Sequence, residues 1–276
     1  MTAAIEPQLR QAEIERARRK PLTNLNAYDR YLWALANFYR HERAANDATL
    51  DHLRETIRLA PDYAPPYALA SQILVFRHGQ GWSTDPKRDR VEGAEFARAA
   101  VARDRDDSTV LGMAGHALAY HAEDYDNAIA LLERSLMLNP NSGIGQSYAA
   151  WGYLHAGLPA AAVPHYEAAI RLSPLDHQMA VFQSGLAIAQ LMLGHYEEAI
   201  GSARRAIAHN EIWAGSYLAL ASALAHLGRI EEARAAIRDL RRVSEIDAGR
   251  FRARAFRDTE GKERFLTGLR RATADG

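Results

Sequence analysis

The chain of 276 residues contains no cysteine, has no net charge and lacks any long apolar run. Without cysteine there is no disulfide, no thiol nucleophile and no cysteine-ligated zinc. Equal numbers of basic and acidic residues, 34 of each, remove the overall attraction to nucleic acid or to an anionic membrane. The sequence has no stretch of about 18 apolar residues, the length that a membrane span needs. The first twenty residues also lack the apolar core of a secretory signal. We therefore expect a cytoplasmic protein without a membrane span or direct contact with nucleic acid.

Enzyme motifs are also missing. The sequence contains no His-Glu-x-x-His, no Walker loop and no Gly-x-Ser-x-Gly. His116 and His121 lie five residues apart, so they point to different faces of a helix and cannot chelate a metal together. Three serines fall on predicted helices, without the strained turn that exposes a nucleophile: Ser147, Ser184 and Ser222. The sequence predicts no catalytic residue, no metal site and no cofactor.

A short helical pattern returns along the chain. Residues 125–140, YDNAIALLERSLMLNP, have apolar side chains at helical spacing, and similar segments occupy 159–174, 196–211 and 230–245. Small residues mark equivalent positions 34, 37 and 34 residues apart, with weaker copies a further 35 and 44 residues back. A dominant step of 34 indicates an array of helix–turn–helix repeats. The markers, where only a small side chain lets a partner helix approach, are Thr49, Gly93, Ala128, Ala162, Ala199 and Ala233.

Glycine and proline divide the array into helix pairs. Gly157, Gly194 and Gly228 are predicted to end first helices in the left-handed conformation, which glycine adopts at little cost. Second helices are predicted to stop at prolines, which cannot continue the hydrogen-bond ladder: Pro61, Pro140 and Pro174. Segments 182–194 and 216–228 are apolar almost all round, as expected of first helices packed between neighbours. No segment has the alternating pattern of a strand, so the sequence predicts an all-α chain.

Three segments carry a resemblance to a known family: YLALASALAHLGRIEEARAAIRDLRRV (217–243), AAWGYLHAGLPAAAVPHYEAAIRLSP (149–174) and HALAYHAEDYDNAIALLERSLMLNP (116–140). The chain resembles the tetratricopeptide repeat family over about 26–244. This implies a right-handed α-solenoid of about six helix pairs, preceded by an N-terminal connector helix (1–25). Residues 245–276 then form a connector and a C-terminal capping helix, with Phe265, Leu266 and Leu269 on one face.

In such arrays the inner faces of the first helices line a groove that holds a peptide or another domain. The lining contains no lysine or arginine, so a clamp for an acidic C-terminus is not expected, and an apolar helix or extended apolar segment is favoured. The alternative is that Trp151, Ile188 and Met192 belong to the core between repeats. Carried over position by position, the resemblance places in this lining Gln72, Phe76, His116, Tyr120, Trp151, His155, Ile188, Met192, Ser222 and His226.

Two further segments have two interpretations each. The insertion 78–88, HGQGWSTDPKR, is either a binding loop in which Trp82 offers a stacking face, or a long turn in which Trp82 folds back on the array. Segment 249–258, GRFRARAFRD, is either an anion-binding patch of Arg250, Arg252 and Arg254 or an extended connector with solvated arginines.

A second resemblance covers nearly the whole chain. Segments 5–35, 78–88, 171–176 and 256–272 resemble the C-terminal repeat region of bacterial class III adenylate/guanylate cyclase proteins. A similar region follows winged-helix DNA-binding domains in related signalling proteins. The resemblance implies a bacterial signalling context and a longer protein, but no cyclase core is present in the sequence. Three functions therefore stay open: a scaffold for protein–protein interaction, the regulatory arm of such a cyclase or winged-helix regulator, and a small-molecule sensor with its ligand near Tyr120 and Trp151.

Overall fold

The computed structural model describes residues 12–16, 26–251, 253–257 and 259–274, and within them all regular structure is helical. Of the predicted N-terminal connector helix, residues 12–16 are helical and the others lie outside the described residues. The helices from residue 26 onward are α1 (Ala27–Phe38), α2 (Arg43–Leu59), α3 (Ala64–Gly79), α4 (Pro86–Arg103), α5 (Ser108–Ala122), α6 (Tyr125–Leu138), α7 (Gly143–His155), α8 (Pro159–Leu172), α9 (Met179–Leu193), α10 (Tyr196–His209), α11 (Ala214–His226), α12 (Ile230–Val243) and α13 (Glu260–Thr273).

The first twelve of these helices form six successive pairs, from α1–α2 to α11–α12. Each first helix packs on the second helix of its own pair and on the first helix of the next pair. Contacts between neighbouring pairs build one continuous core, as in repeat solenoids. The predicted all-α right-handed solenoid of six helix pairs is therefore confirmed.

First and second helices differ because they bury different amounts of surface. Eleven of the thirteen residues of α7 are buried, which agrees with its apolar composition on all sides. In α12 only one stripe is buried, at the i, i+3, i+4 and i+7 positions of a surface helix: Ala233, Ala236, Ile237 and Leu240. Second helices therefore cover the array from outside, while first helices lie between their neighbours.

The small marker residues lie where helices touch. Ala128, Ala162, Ala199 and Ala233 are fully buried, as is Thr49. A Cβ added to Gly93 would lie 2.5 Å from the His121 ring, so a larger side chain would clash there. The predicted reason for the repeat period, close approach at small residues, is confirmed.

The predicted helix ends agree with the backbone. Gly157, Gly194 and Gly228 have φ angles of 78°, 86° and 74°, in the left-handed region. Helices α2, α6 and α8 each end two residues before a proline. Helix α9 begins at Met179, three residues earlier than the apolar pattern 182–194 indicated. Within the described parts of the chain, no helix is long and apolar enough to cross a membrane.

The array curls until its first two pairs touch its last two. The His41 ring lies 6.1 Å from Trp213, and the Tyr39 ring stacks on His177 at the same distance. Gln80 donates from Nε2 to the Ile212 carbonyl over 2.8 Å and accepts at Oε1 from the Ala214 amide over 3.0 Å. Contacts thus join residues more than 130 positions apart in sequence.

The C-terminal segment lies on the inner side of this curl. Residues 244–251 and 253–257 run from the loop after α3 to the end of α7: the Ser244 hydroxyl donates to the Gln80 carbonyl, and the Arg257 amide donates to the His155 carbonyl. We call these residues the strap. Helix α13 follows and packs on α11, α9 and α12. The capping helix thus covers the inner faces of the fifth and sixth pairs as well as the end of the array.

Candidate functional site

A cavity of about 460 Å³ lies between the inner faces of the first helices and the strap. Helices α3, α5, α7 and α9 form one side, and strap residues from Ile246 to Phe256 form the other. We call this space the central cavity. Its lining is mostly apolar and aromatic and includes Phe38, Phe76, Tyr120, Tyr148, Trp151, Ile188, Trp213, Leu218, Phe251, Phe256 and Phe265.

Most of the groove residues predicted from sequence line this cavity. They are Gln72, Phe76, His116, Tyr120, Trp151, His155 and Ile188. The other three contact α13 instead. The Ser222 hydroxyl donates to the Phe265 carbonyl over 2.9 Å, His226 Nε2 lies 2.7 Å from the Arg264 carbonyl, and the Met192 carbonyl accepts from the Arg264 guanidinium.

The middle of the cavity wall is a buried polar pair. Gln72 donates from Nε2 to the Met113 carbonyl over 2.6 Å, and its Oε1 lies 2.9 Å from His116 Nδ1. The amide oxygen can only accept, so His116 carries its proton on Nδ1. Burial, together with His155 and His121, lowers the pKa of His116 well below its ordinary value. This wall is therefore neutral at physiological pH.

His155 joins the wall to the strap. Its ring stacks on His116 at 5.5 Å and on Trp151 at 5.6 Å, and the Phe256 ring of the strap lies 4.9 Å away. The ring faces the Ala255 backbone, without the geometry of a good hydrogen bond. Burial, and secondarily His121, lower the pKa of His155 to about 3, since a buried imidazolium loses its hydration.

Tyr120 and His78 close one side of the cavity. The Tyr120 hydroxyl lies 2.6 Å from His78 Nδ1. Burial raises the pKa of Tyr120 above its ordinary value, and burial with nearby Arg90 lowers the pKa of His78. The Tyr120 hydroxyl donates a hydrogen bond to the neutral His78 imidazole, and both groups therefore stay uncharged.

Another part of the cavity lining is an aromatic cluster around Phe76. His41 stacks on its ring at 4.9 Å, Trp213 lies at 4.9 Å and Trp82 at 5.3 Å. Trp82 of the insertion is half-buried and packs against the core, as the long-turn interpretation required. Burial, and secondarily His177, lower the pKa of His41 to about 4.

The predicted basic patch is divided. Arg250 and Arg254 both line the central cavity at the strap. Arg250 is paired with Asp247 at 3.5 Å and its side chain is 87% exposed. Arg252 lies outside the described residues.

Arg254 also lines a second, neighbouring depression of about 490 Å³ along α4. We call this depression the basic groove, because its lining includes Lys87, Arg90 and Arg98 with one carboxylate, Glu95. The two spaces share His78, Pro86 and Arg254. An apolar space and a cationic one therefore meet at three residues.

Sequence reasoning missed two parts of the site. Gln80 is 1% exposed and bridges distant pairs, yet it stands in a Gly-rich insertion with no pattern that indicates burial. The strap residues Ala253, Ala255 and Phe256 are buried, and only the alternation of small and apolar residues with arginine in 249–258 could have indicated a lining role. Among the described residues, no group of three or more His, Asp or Glu could hold a metal ion.

Comparison with known proteins agrees with this architecture. The family model described as Tetratricopeptide repeat matches residues 214–242, which hold α11 and nearly all of α12. No curated protein matches the chain.

Solved structures of low identity share the fold. Human IFIT1, solved as a dimer with m7Gppp-AAAA, superposes with a TM-score of 0.64 at 13% identity, over 78% of this chain and 50% of that one. The APC/C hetero-tetramer Cut9-Hcn1 superposes with a TM-score of 0.61 at 11% identity, over 88% of this chain and 43% of that one. TTC0263, a thermophilic TPR protein in Thermus thermophilus, superposes with a TM-score of 0.53 at 18% identity, over 72% of this chain and 98% of that one. At these identities the likeness shows the tetratricopeptide-type solenoid and nothing further.

Proposed function

We propose that the chain is a non-catalytic interaction scaffold whose inner face binds an apolar protein segment, helical or extended. One observation carries the proposal: the inner face already holds polypeptide of two kinds, the non-helical strap with its turns and the helix α13. Tetratricopeptide-type scaffolds present such faces for binding, and extended concave surfaces are the general use of solenoids.

The contacts that hold the strap and α13 define what a partner must offer. Phe256 packs against His155, and Phe265 is 1% exposed beside α11. Backbone groups contribute hydrogen bonds too: the Arg257 amide donates to the His155 carbonyl, and the Phe265 carbonyl accepts from the Ser222 hydroxyl. An apolar segment with phenylalanine at such spacing fits this face, whereas an acidic C-terminus finds no lysine or arginine at the ten predicted groove positions.

The proposal is tested with a labelled synthetic peptide of residues 245–274, added to the full chain. The wild-type chain is expected to exclude it, because its own segment occupies the face at a high effective concentration. The double variant Phe256→Ala/Phe265→Ala weakens that occupant and is expected to bind the peptide, measured by fluorescence anisotropy.

The control peptide carries Phe251→Ser, Phe256→Ser and Phe265→Ser and is expected not to bind. Far-UV circular dichroism establishes that the double variant remains helical. If a helical double variant does not bind the native peptide, or binds both peptides equally, the inner face is not an apolar docking surface.

The cyclase-type resemblance adds a context to this proposal. It supports a cytoplasmic role in bacterial signalling, with a catalytic or DNA-binding domain preceding the repeats in a longer protein. An antibody against residues 262–272, used on a lysate of the source cell, tests it. A band near 30.6 kDa would indicate a free-standing scaffold, and a much larger band the regulatory arm of a signalling protein.

A further inference from the structure

The central cavity has the size and character of a small-molecule site. Its 460 Å³ falls within the range of about 300–1,000 Å³ that is usual for ligand pockets. Aromatic rings from four first helices and from the strap surround it, and its polar wall residues Gln72, His116 and Tyr120 already bond within the protein. A ligand there would gain most of its binding free energy from burial of apolar surface and little from polar contacts.

The basic groove beside it has unpaired positive charge. Arg90 is held by Glu123 at 2.7 Å and by the His121 carbonyl. The other three cations of the groove have no acidic partner within 4 Å among the described residues, and all three are exposed: Lys87, Arg98 and Arg254. Glu95 supplies a single opposing charge, so the groove as a whole attracts anions.

Arg254 joins the two spaces. It stands on the strap, lines both, and lies close enough to His78 to lower the pKa of that imidazole. Pro86, the first residue of α4, lines both spaces as well. A molecule with its apolar part in the central cavity would therefore place its end at a guanidinium that has no acidic partner in the described part of the chain.

We propose that the central cavity and the basic groove form one binding site for a single-chain anionic amphiphile, with the apolar chain in the cavity and the head group at Arg254. A carboxylate suits this position because a guanidinium fork binds it through two parallel hydrogen bonds. The proposal rests on the two spaces and their junction, and it does not depend on the interaction function proposed above.

Hexadecanoate, added below its micelle concentration, is the probe, and hexadecanol is its neutral counterpart. Trp151 and Trp213 line the cavity, so binding is followed by tryptophan fluorescence and by the rise in Tm that a ligand of the native state produces. Hexadecanoate is expected to bind at least tenfold more tightly than hexadecanol, because only the carboxylate makes charge-assisted bonds.

Two variants address the two halves of the site. Arg254→Gln removes the head-group contact and is expected to weaken hexadecanoate binding roughly tenfold while leaving hexadecanol unchanged. Gly79→Leu is designed to fill part of the cavity: Gly79 lines it, and an added Cβ would have the Tyr120 hydroxyl at 4.0 Å as its nearest neighbour, an ordinary contact. It is expected to abolish binding of both probes.

Matched substitutions serve as controls. Arg171→Gln removes an exposed arginine of α8, and Gly201→Leu adds the same side chain to a glycine of α10 whose nearest neighbour is the flexible end of Arg205. Both are expected to bind hexadecanoate like the wild type. Failure of hexadecanoate to bind the wild type, unaltered binding to Gly79→Leu, or equal affinity for hexadecanoate and hexadecanol would each overturn the proposal.

Discussion

At the scale of single residues, glycines allow helices to approach buried rings. A Cβ at Gly185 in α9 would lie 2.2 Å from Tyr166 Cζ and 2.4 Å from Cε1. Tyr166 is itself fully buried, so its ring has no room to retreat. Here the packing between α8 and α9 requires the absence of a side chain.

Gly185→Ala is therefore expected to lower the free energy of unfolding by about 1–3 kcal/mol, the usual cost of overpacking a core. Gly201→Ala is the matched control. Its Cβ would first meet the Arg205 guanidinium at 3.4 Å, so the better helix propensity of alanine should raise stability by about 0.5–1 kcal/mol. Urea denaturation measures both. Equal effects at the two positions would mean that the Tyr166 contact does not restrict Gly185.

Buried histidines make stability depend on pH. Burial lowers the pKa of His155 and His121 to about 3 and that of His41 to about 4, from an ordinary value of 6.5. Between about pH 6.5 and 4 the unfolded chain binds protons at these residues while the folded chain does not. Stability is therefore complete above pH 6.5 and falls as the solution is acidified.

His155→Phe keeps a ring in the stack and removes one titrating group. The wild-type free energy of unfolding should fall steadily from pH 7 to pH 4.5, and the variant should show a slope smaller by up to about 1.4 kcal/mol per pH unit. Urea denaturation at four pH values checks this. An unchanged slope would mean that His155 is protonated in the folded chain.

At the scale of helices, α8 contains an interior proline. Pro164 is the sixth residue of Pro159–Leu172, beyond the first turn where a missing N–H costs nothing. Its ring removes one hydrogen bond of the helix. The first residue of the same helix, Pro159, stands where proline is favoured.

Pro164→Ala should restore that hydrogen bond and raise the free energy of unfolding by about 1–3 kcal/mol. Pro159→Ala is the comparison, with an expected change below about 1 kcal/mol, since its N–H has no partner within the helix. Thermal denaturation of both variants measures the difference. A loss of stability in Pro164→Ala would show that a bend at this proline is needed to fit α8 against α7.

Helices are also the scale at which sequence reasoning succeeds. The left-handed glycines Gly157, Gly194 and Gly228 and the fully buried markers follow from local chemistry, because each acts within one helix pair. Helix α9 begins earlier than its apolar pattern because the turn at Asp176 and Gln178 already directs the chain into it. Local rules thus recover the pairs and their order.

At the scale of the whole molecule, the same reasoning reaches its limit. The period predicts contacts between neighbouring pairs, and it is silent on contacts between the second pair and the sixth. Gln72 and His116 were predicted to share a face because they stand at equivalent positions of adjacent pairs. The closure through Gln80, and the strap that turns an open groove into a cavity, depend on the accumulated curvature of six pairs, which no local pattern encodes.

Gln80 is therefore the residue on which to test the closure. It is buried and bonds to both Ile212 and Ala214, so Gln80→Ala leaves the Ala214 amide without its partner. The expected loss of stability is about 1–3 kcal/mol. Gln146→Ala, which also removes two side-chain bonds but from a partly exposed residue of α7 to the nearby Pro140 and His165, should cost less than about 1 kcal/mol.

Hydrogen exchange separates closure from general destabilisation. In Gln80→Ala the amides of residues 212–214 and of the strap should exchange faster, because the Gln80 carbonyl also anchors Ser244 through the same loop. Amides of α5–α8, which lie on the far side of the curl, should keep their wild-type rates. If protection falls evenly over all helices, the six pairs behave as one cooperative unit and Gln80 is an ordinary core residue. If it falls only at the closure, the curl can open without unfolding, and the inner face becomes accessible by a local motion.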